Sequence, residues 1–174
     1  MGRPKAFIEV EGRPMVARVA GALAAAGAEP VVIVGGDRDE IEALGLPFAA
    51  DGFPGEGPLG GILSALDACH EADAVAVVAC DLLAPSSHEI RLLAAELGAG
   101  DVVVPVVAGR PQWTHAIWAR RARTTLEAAF AAGERAPRNA VGDLSVRRVD
   151  IDAARAHAYA DADTPDALPG GATR

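Results

Sequence analysis

Apolar positions alternate along the chain between long helical patches and short, continuous β-branched runs. Residues 14–27 (PMVARVAGALAAAG) open with Pro14, a favoured first helical position, and close on Gly27, which predicts a helix. Val31-Val32-Ile33-Val34 follows as a continuous run ending at Gly35-Gly36, the pattern of a strand covered on both faces. Asp37 is placed to cap a short helix through Leu44, and a brief strand near Pro47–Ala50 leads into a loop from Asp51 to Pro58. The pattern then repeats. A helix from Leu59 to about Glu71 precedes an apolar strand, Ala74–Ala79, that stops at Cys80-Asp81. Ser86 or Ser87 can cap a helix over His88–Leu97, and Asp101–Val107 and Thr114–Trp118 read as further strands. A helix from about Ala122 to Ala132, a strand over Leu144–Val149 and a short helix over Thr164–Leu168 complete the series.

Strand–helix alternation of this kind predicts an α/β fold of three layers, with a mostly parallel, doubly wound sheet. Ligands in such folds sit at the carboxyl ends of the strands. Gly35-Gly36, Asp81 and the Asp51–Gly61 loop all fall on that rim.

At 174 residues the chain suits one domain, expected over residues 1–168 with a disordered tail at 169–174. Aromatics make up only 4%, so Ala, Val and Leu must fill the core, which favours helices on a buried sheet over a β-sandwich. A net charge of −8 without a Lys/Arg run argues against nucleic acid as a partner. A nucleotide is compatible with that charge if a cation and backbone N–H groups offset the repulsion. Cys69 and Cys80 fit no metal or redox spacing and read as reduced core thiols. With no stretch near the ~20 apolar residues of a membrane span and no signal-peptide h-region, a cytoplasmic protein is expected.

Asp81 ends a buried strand, where a carboxylate is costly unless it caps a turn or meets a cation. Mg²⁺ takes one or two carboxylates and completes its shell with water and phosphates, so Asp81 suits it, and the Asp161/Asp163 pair can supply a second. As simple caps, Asp81 would serve the turn before Pro85 and Asp163 the helix after it. In Gly55-Glu56-Gly57-Pro58-Leu59-Gly60-Gly61, four glycines let backbone approach a ligand, and Leu59 onward is expected to offer free helix-start N–H groups. Lys5, near Gly2, is a candidate point charge for a phosphate.

Taken in order, these segments resemble the molybdenum cofactor guanylyltransferases and their nucleotidyltransferase relatives, proteins of a GT-A-like, Rossmann-like α/β fold. Those proteins begin with a strand and then LAGGxSxRMGxxKxLLxxxGxPL; here Met1-Gly2, Lys5, Gly12 and Pro14 match. GPLGGILSAL (Gly57–Leu66) resembles the family's GPLxGIxxAL and favours the molybdenum branch. Cys80-Asp81 resembles its CD metal motif, and Asp161-Ala162-Asp163-Thr164-Pro165 its NxNTP or DxDTP ending.

The resemblance implies transfer of GMP from GTP to the phosphate of molybdenum-molybdopterin, with release of pyrophosphate and Mg²⁺ as cofactor. Lys5 and Asp81 would be catalytic. Lys5, Gly35, Asp51, Gly57, Gly60 and Asp81 would bind nucleotide, Gly35 standing where relatives often carry Asn. Asp81 and Asp163 would hold the metal. On the acceptor side relatives read QPLxALY or HPLxALY, against Gln112-Trp113-Thr114-His115-Ala116-Ile117-Trp118 here. Gln112, His115, Arg135 and Arg138 are the acceptor-binding candidates, while His70, His88 and His157 read as surface or packing residues. Transient contact with cofactor-delivery proteins or molybdoenzymes also follows from the resemblance. A CTP-using or sugar-phosphate relative, and a non-catalytic nucleotide-binding remnant, are the alternative functions.

The family's first strand and LAGGxSxR loop would lie ahead of Met1, which aligns with the internal Met of the RMG motif, as a start codon assigned too far downstream would produce. That strand is central, between Val31–Val34 and Ala74–Ala79, so its absence is expected to leave two edges unpaired and a chain of low stability or activity.

Overall fold

A computed structural model of the chain describes residues 4–162. After a 3-10 turn at Lys5–Phe7, strands β1 (Glu9–Val10) and β2 (Arg13–Pro14) form a small hairpin. Helix α1 (Met15–Ala26) then starts on Pro14 and ends on Gly27 at φ 92°, a left-handed C-cap that glycine adopts without penalty. β3 (Ile33–Val34) is followed by α2 (Arg38–Ala43), where the Asp37 side chain accepts from the Glu40 N–H as the expected N-cap. β4 (Phe48–Ala49) pairs parallel with β3. The predicted strand at Val31–Val34 is shorter in the structure because β4 offers it only two partners.

Helix α3 (Gly57–Ala68) leads into β5 (Ala74–Val78), and α4 (Ser87–Ala95), capped by the Ser86 hydroxyl, leads into β6 (Val102–Val107). Then come β7 (Arg110–Pro111), β8 (His115–Ala119), α5 (Arg123–Ala131), α6 (Pro137–Ala140) and β9 (Val146–Ile151), with a 3-10 turn at Ala156–Tyr159. The helix expected at Thr164–Leu168, the tail at 169–174 and Asp163 lie outside the described residues.

β5, β8, β6, β7 and β9 make one five-stranded sheet. β8 runs antiparallel to both β5 and β6, and β9 runs parallel to β6 along its full length. β5, β6 and β9 therefore point one way and β8 is the reversed strand between two of them. Patterning alone predicted the strand at Thr114–Trp118 but not its direction.

Three layers follow. On one face α3, α5 and α6 bury Leu59, Ile62, Leu63, Leu66 and Leu126 against Val75, Val102, Val104 and Trp118. On the other, α4 and the Ala156–Tyr159 turn bury Leu93 and Tyr159 against Val103 and Ile117. Val19 and Leu23 of α1 pack on that same face, against Ala76 and Val78 of β5.

Between β3 and β5 lies a gap. Its first part is bordered by Val31, Val32, Ala74 and Val75, and its second by Ile33, Val34, Val77, Val78 and Cys80. The starts of both strands thus share one end and their finishes the other, so the two run in the same direction. Leu23 of α1 and Ala65 of α3 line both parts from opposite layers. Among the described residues each strand is paired on one edge only, β3 with β4 and β5 with β8. No helix among the described residues is long and apolar enough to cross a membrane.

Candidate active site

The rim at the carboxyl ends of β3 and β5 gathers Gly35, Asp51, Asp81 and the glycine turn before α3. Gly35 follows β3 at φ 72°, and a β-carbon there would stand 3.2 Å from the Asp51 β-carbon. Glycine therefore suits the position on both conformational and steric grounds. Asp51, Pro58, Gly61, Ile62, Val34, Cys80 and Thr114 line a cleft of about 230 Å³. Asp51 is held tightly: its Oδ1 accepts from the Phe53 N–H at 2.9 Å and from the Ser64 hydroxyl at 2.7 Å.

The glycine stretch forms the turn into α3. Gly57 has φ 78°, and Gly60 is buried where an added β-carbon would lie 2.9 Å from that of Phe53. One expectation is corrected here. The Leu59 N–H at the helix start is not free, because it donates to the Arg135 carbonyl at 3.1 Å. Arg135 is engaged through Nε and Nη1: its guanidinium pairs with Glu56 at 2.6 Å, covers the Phe130 ring at 4.0 Å and donates to the Phe130 and Glu134 carbonyls. It braces the glycine turn from behind. Arg138 is exposed on α6 beside Glu134, whose carboxyl is held below the usual range by the Ala136 N–H and the Asn139 side chain first, with Arg138 contributing last.

Asp81 stands just past β5, and its carboxylate makes no hydrogen bond or ion pair with the described residues. The chain returns to it at the far end of the sequence. Leu82 bridges Asp161 in antiparallel fashion, the Ala162 N–H donates to the Asp81 carbonyl at 3.0 Å, and the Leu83 N–H donates to the Ala160 carbonyl at 2.9 Å. The acidic segment predicted near the C-terminus is therefore laid beside Asp81, although Asp163 itself falls outside the described residues. Val10, Met15 and Ala162 form one buried cluster, with Ile8 and Leu83 packed on it. This joins the segment after Lys5, the Asp81 loop and the Asp161 segment. Arg18 ties them further, donating to the Val10 and Leu83 carbonyls at 3.0 Å each and pairing with Glu11. Lys5 is exposed in its 3-10 turn, which Phe7 anchors into the core.

One or two carboxylates at a strand end, beside a cleft, match what Mg²⁺ asks of a protein. Among the described residues no group of three or more His, Cys, Asp or Glu side chains is placed to hold a metal ion by itself. Cys80, next to Asp81, has its thiol pushed up to about 11, mainly by burial and further by that carboxylate.

The acceptor candidates are not brought together. Gln112 donates to the Arg110 carbonyl in the β7–β8 connection. His115 is 6% exposed and faces Tyr159 and a small cavity of about 20 Å³ behind the sheet. Its Nδ1 has no partner, and burial lowers its pKa to about 4 against the opposing pull of Asp81. His70, His88 and His157 are exposed, as expected.

Several residues escaped the sequence reading. Ser64 is the sole hydroxyl in Gly57–Ala68 and carries no motif of its own. Glu89 sits three residues after Ser86, a spacing that suggests a capping box. In the structure its carboxylate instead receives Arg155 at 2.9 and 2.7 Å and the Tyr159 hydroxyl at 3.1 Å.

Comparison with known proteins gives a consistent result. Residues 1–149 match the family described as the MobA-like NTP transferase domain. The chain is 35% identical over 143 residues to a molybdenum cofactor guanylyltransferase of Rhodopseudomonas palustris, covering 76% of this chain and 67% of that protein. It is 32% identical to the enzyme of the same name from Xanthomonas euvesicatoria, covering 95% and 84%. Among solved structures, the molybdopterin-guanine dinucleotide biosynthesis protein A of Archaeoglobus fulgidus superposes with a TM-score of 0.74 at 22% identity, over 95% of this chain and 87% of that one. The 2-C-methyl-D-erythritol 4-phosphate cytidylyltransferase of Thermus thermophilus does so at 0.73 and 18% identity, over 94% and 89%. At these identities the two structures speak to the fold alone, an α/β nucleotidyltransferase architecture.

Proposed function

Because the chain belongs to the MobA-like NTP transferase domain family, we propose that it transfers GMP from GTP to the terminal phosphate of molybdenum-molybdopterin and releases pyrophosphate. The observation that carries this reading is the convergence of the Asp81 loop, the Asp161 segment and the segment after Lys5 beside the Asp51-lined cleft. In the reaction an oxygen of the acceptor phosphate attacks the α-phosphorus of GTP, the bond to the bridging oxygen breaks, and pyrophosphate leaves with the electron pair. The acceptor is already an anion, so no strong general base is required.

The protein's contribution is then placement and charge. Asp51 and the backbone at Gly35, Gly57 and Gly60 would hold the nucleoside end. Lys5 would place a positive charge on the phosphates. Asp81, with Asp163, would hold Mg²⁺, which when bound neutralises the triphosphate and the charge that develops on the leaving group. Arg135 acts in this scheme through the glycine turn it braces rather than by meeting the acceptor. The cytoplasm and transient contact with a molybdoenzyme or delivery protein complete the proposal.

Pyrophosphate release with GTP and with CTP, in the presence of molybdenum-molybdopterin, tests it. Release with GTP is expected, and Asp81→Asn should lower kcat by at least about a hundredfold while circular dichroism is unchanged. Turnover with CTP alone would reassign the nucleotide. Nucleotide binding without any pyrophosphate would favour the non-catalytic remnant.

A further inference from the structure

We infer that Ser64 is a positioning residue for nucleotide recognition: it fixes which oxygen of the Asp51 carboxylate is presented to the ligand. The inference rests on the nucleotide-binding reading of the cleft. Ser64 is 4% exposed on the inner face of α3, among Ile62, Leu63 and Leu66. A buried hydroxyl in such surroundings must be hydrogen-bonded to be tolerated. Ser64 meets that demand twice. Its Oγ accepts from the Gly52 N–H at 3.0 Å and donates to Asp51 Oδ1 at 2.7 Å.

The direction of these bonds decides the consequence. A serine hydroxyl has one proton to give. With the Gly52 N–H pointing at its oxygen, that proton goes to Asp51. Asp51 Oδ1 then has two donors, Ser64 and the Phe53 N–H, while Oδ2 takes no hydrogen bond from the described residues. Oδ2 lies on the Gly35 side, 3.9 Å from where a β-carbon of that residue would be. Gly35 has none, so that side of the carboxylate stays open. A carboxylate oxygen is an acceptor only, so the ligand group it selects is an N–H or O–H of the nucleoside. Without Ser64 the side chain could rotate about its Cα–Cβ and Cβ–Cγ bonds and lose that aim, which is a cost paid at binding.

The test is a double-mutant cycle on nucleotide affinity in the full chain, with GTP as the probe and CTP beside it. Wild type, Ser64→Ala, Asp51→Ala and the double variant are titrated with each nucleotide, and each is melted to follow folding. Ser64→Ala is expected to weaken GTP binding about tenfold. In the Asp51→Ala background the same change should have almost no effect, because the group it orients is gone. Lower thermal stability with unchanged affinity, or an equal loss of affinity in both backgrounds, would make Ser64 merely structural and overturn the inference. If wild type binds CTP instead, the cycle is read with CTP. If wild type binds neither, the nucleotide reading fails first and takes the inference with it.

Discussion

At the scale of single residues, the chain keeps polar groups inside where each has a task. Among the described residues, however, three buried side-chain nitrogens lack a partner, Arg18 Nε, Trp118 Nε1 and His115 Nδ1, and of these only the imidazole titrates near neutral pH. Burial lowers its pKa to about 4 from the 6.5 of an ordinary histidine. The folded state therefore favours the neutral ring. The stability this confers is complete above pH 6.5 and is lost as pH falls through 4, since the unfolded chain takes up the proton first. Denaturant melts between pH 7 and pH 4 should show stability declining by on the order of 1–3 kcal/mol across that window. His115→Phe should flatten that decline; an equally steep fall in the variant would assign it to the carboxylates. Of the candidate site residues, Asp81 and the Gly55–Gly61 stretch were legible by type and position at a strand end and a turn, whereas the roles of Asp51 and Gly35 came only from the resemblance. Ser64 and Arg155 were not legible. One serine in a helix and one arginine near a terminus look alike whether they carry a network or none, and only the fold brings their partners across 13 and 66 residues.

At the scale of elements, the helices were readable from their ends. Pro14 and Gly27 bound α1, and Asp37 and Ser86 cap α2 and α4 with side-chain hydrogen bonds. Strand direction was not readable, because β-branched runs look the same in either sense, and β8 is reversed between two co-directional neighbours. The segment that returns to Asp81 is held by a clasp on α4. Glu89, 6% exposed, binds Arg155 in bidentate fashion and Tyr159 through its hydroxyl. Arg155 holds the Glu89 carboxyl below the usual range, and burial, helped by Glu89, raises the Tyr159 phenol. Glu89→Gln leaves a guanidinium without its counter-charge. Arg155 is one-third exposed, so the loss should be on the order of 2 kcal/mol, between a surface pair and a broken buried pair. Chemical denaturation would measure it, and a change under about 0.5 kcal/mol would show that the clasp contributes no more than a surface pair.

At the scale of the whole molecule, the sheet that the described residues form is divided. Ile33 and Gly35 donate their N–H groups to β4, and Ala79 donates to the Thr114 carbonyl beside β8. Strand alternation therefore turns the amides of Val32 and Val34 on one side, and of Ala76 and Val78 on the other, toward the gap between β3 and β5. The resemblance had implied unpaired edges at these two runs, and the described residues pair each run on one side only. Hydrogen exchange should find Val32, Val34, Ala76 and Val78 exchanging faster than Ile33 and Val77, by at least tenfold. Uniform protection across both strands would mean that the edges are covered. Away from this gap, the hairpin that follows Lys5 and the loop that carries Asp81 are bound to each other. Arg18, on α1, grips the Val10 carbonyl of the hairpin and the Leu83 carbonyl of the loop. Warming cannot separate the support of Lys5 from that of Asp81 without first prising this guanidinium from one of the two carbonyls. The two residues assigned to the phosphates therefore have a common melting fate, set by a side chain on a helix that carries neither of them.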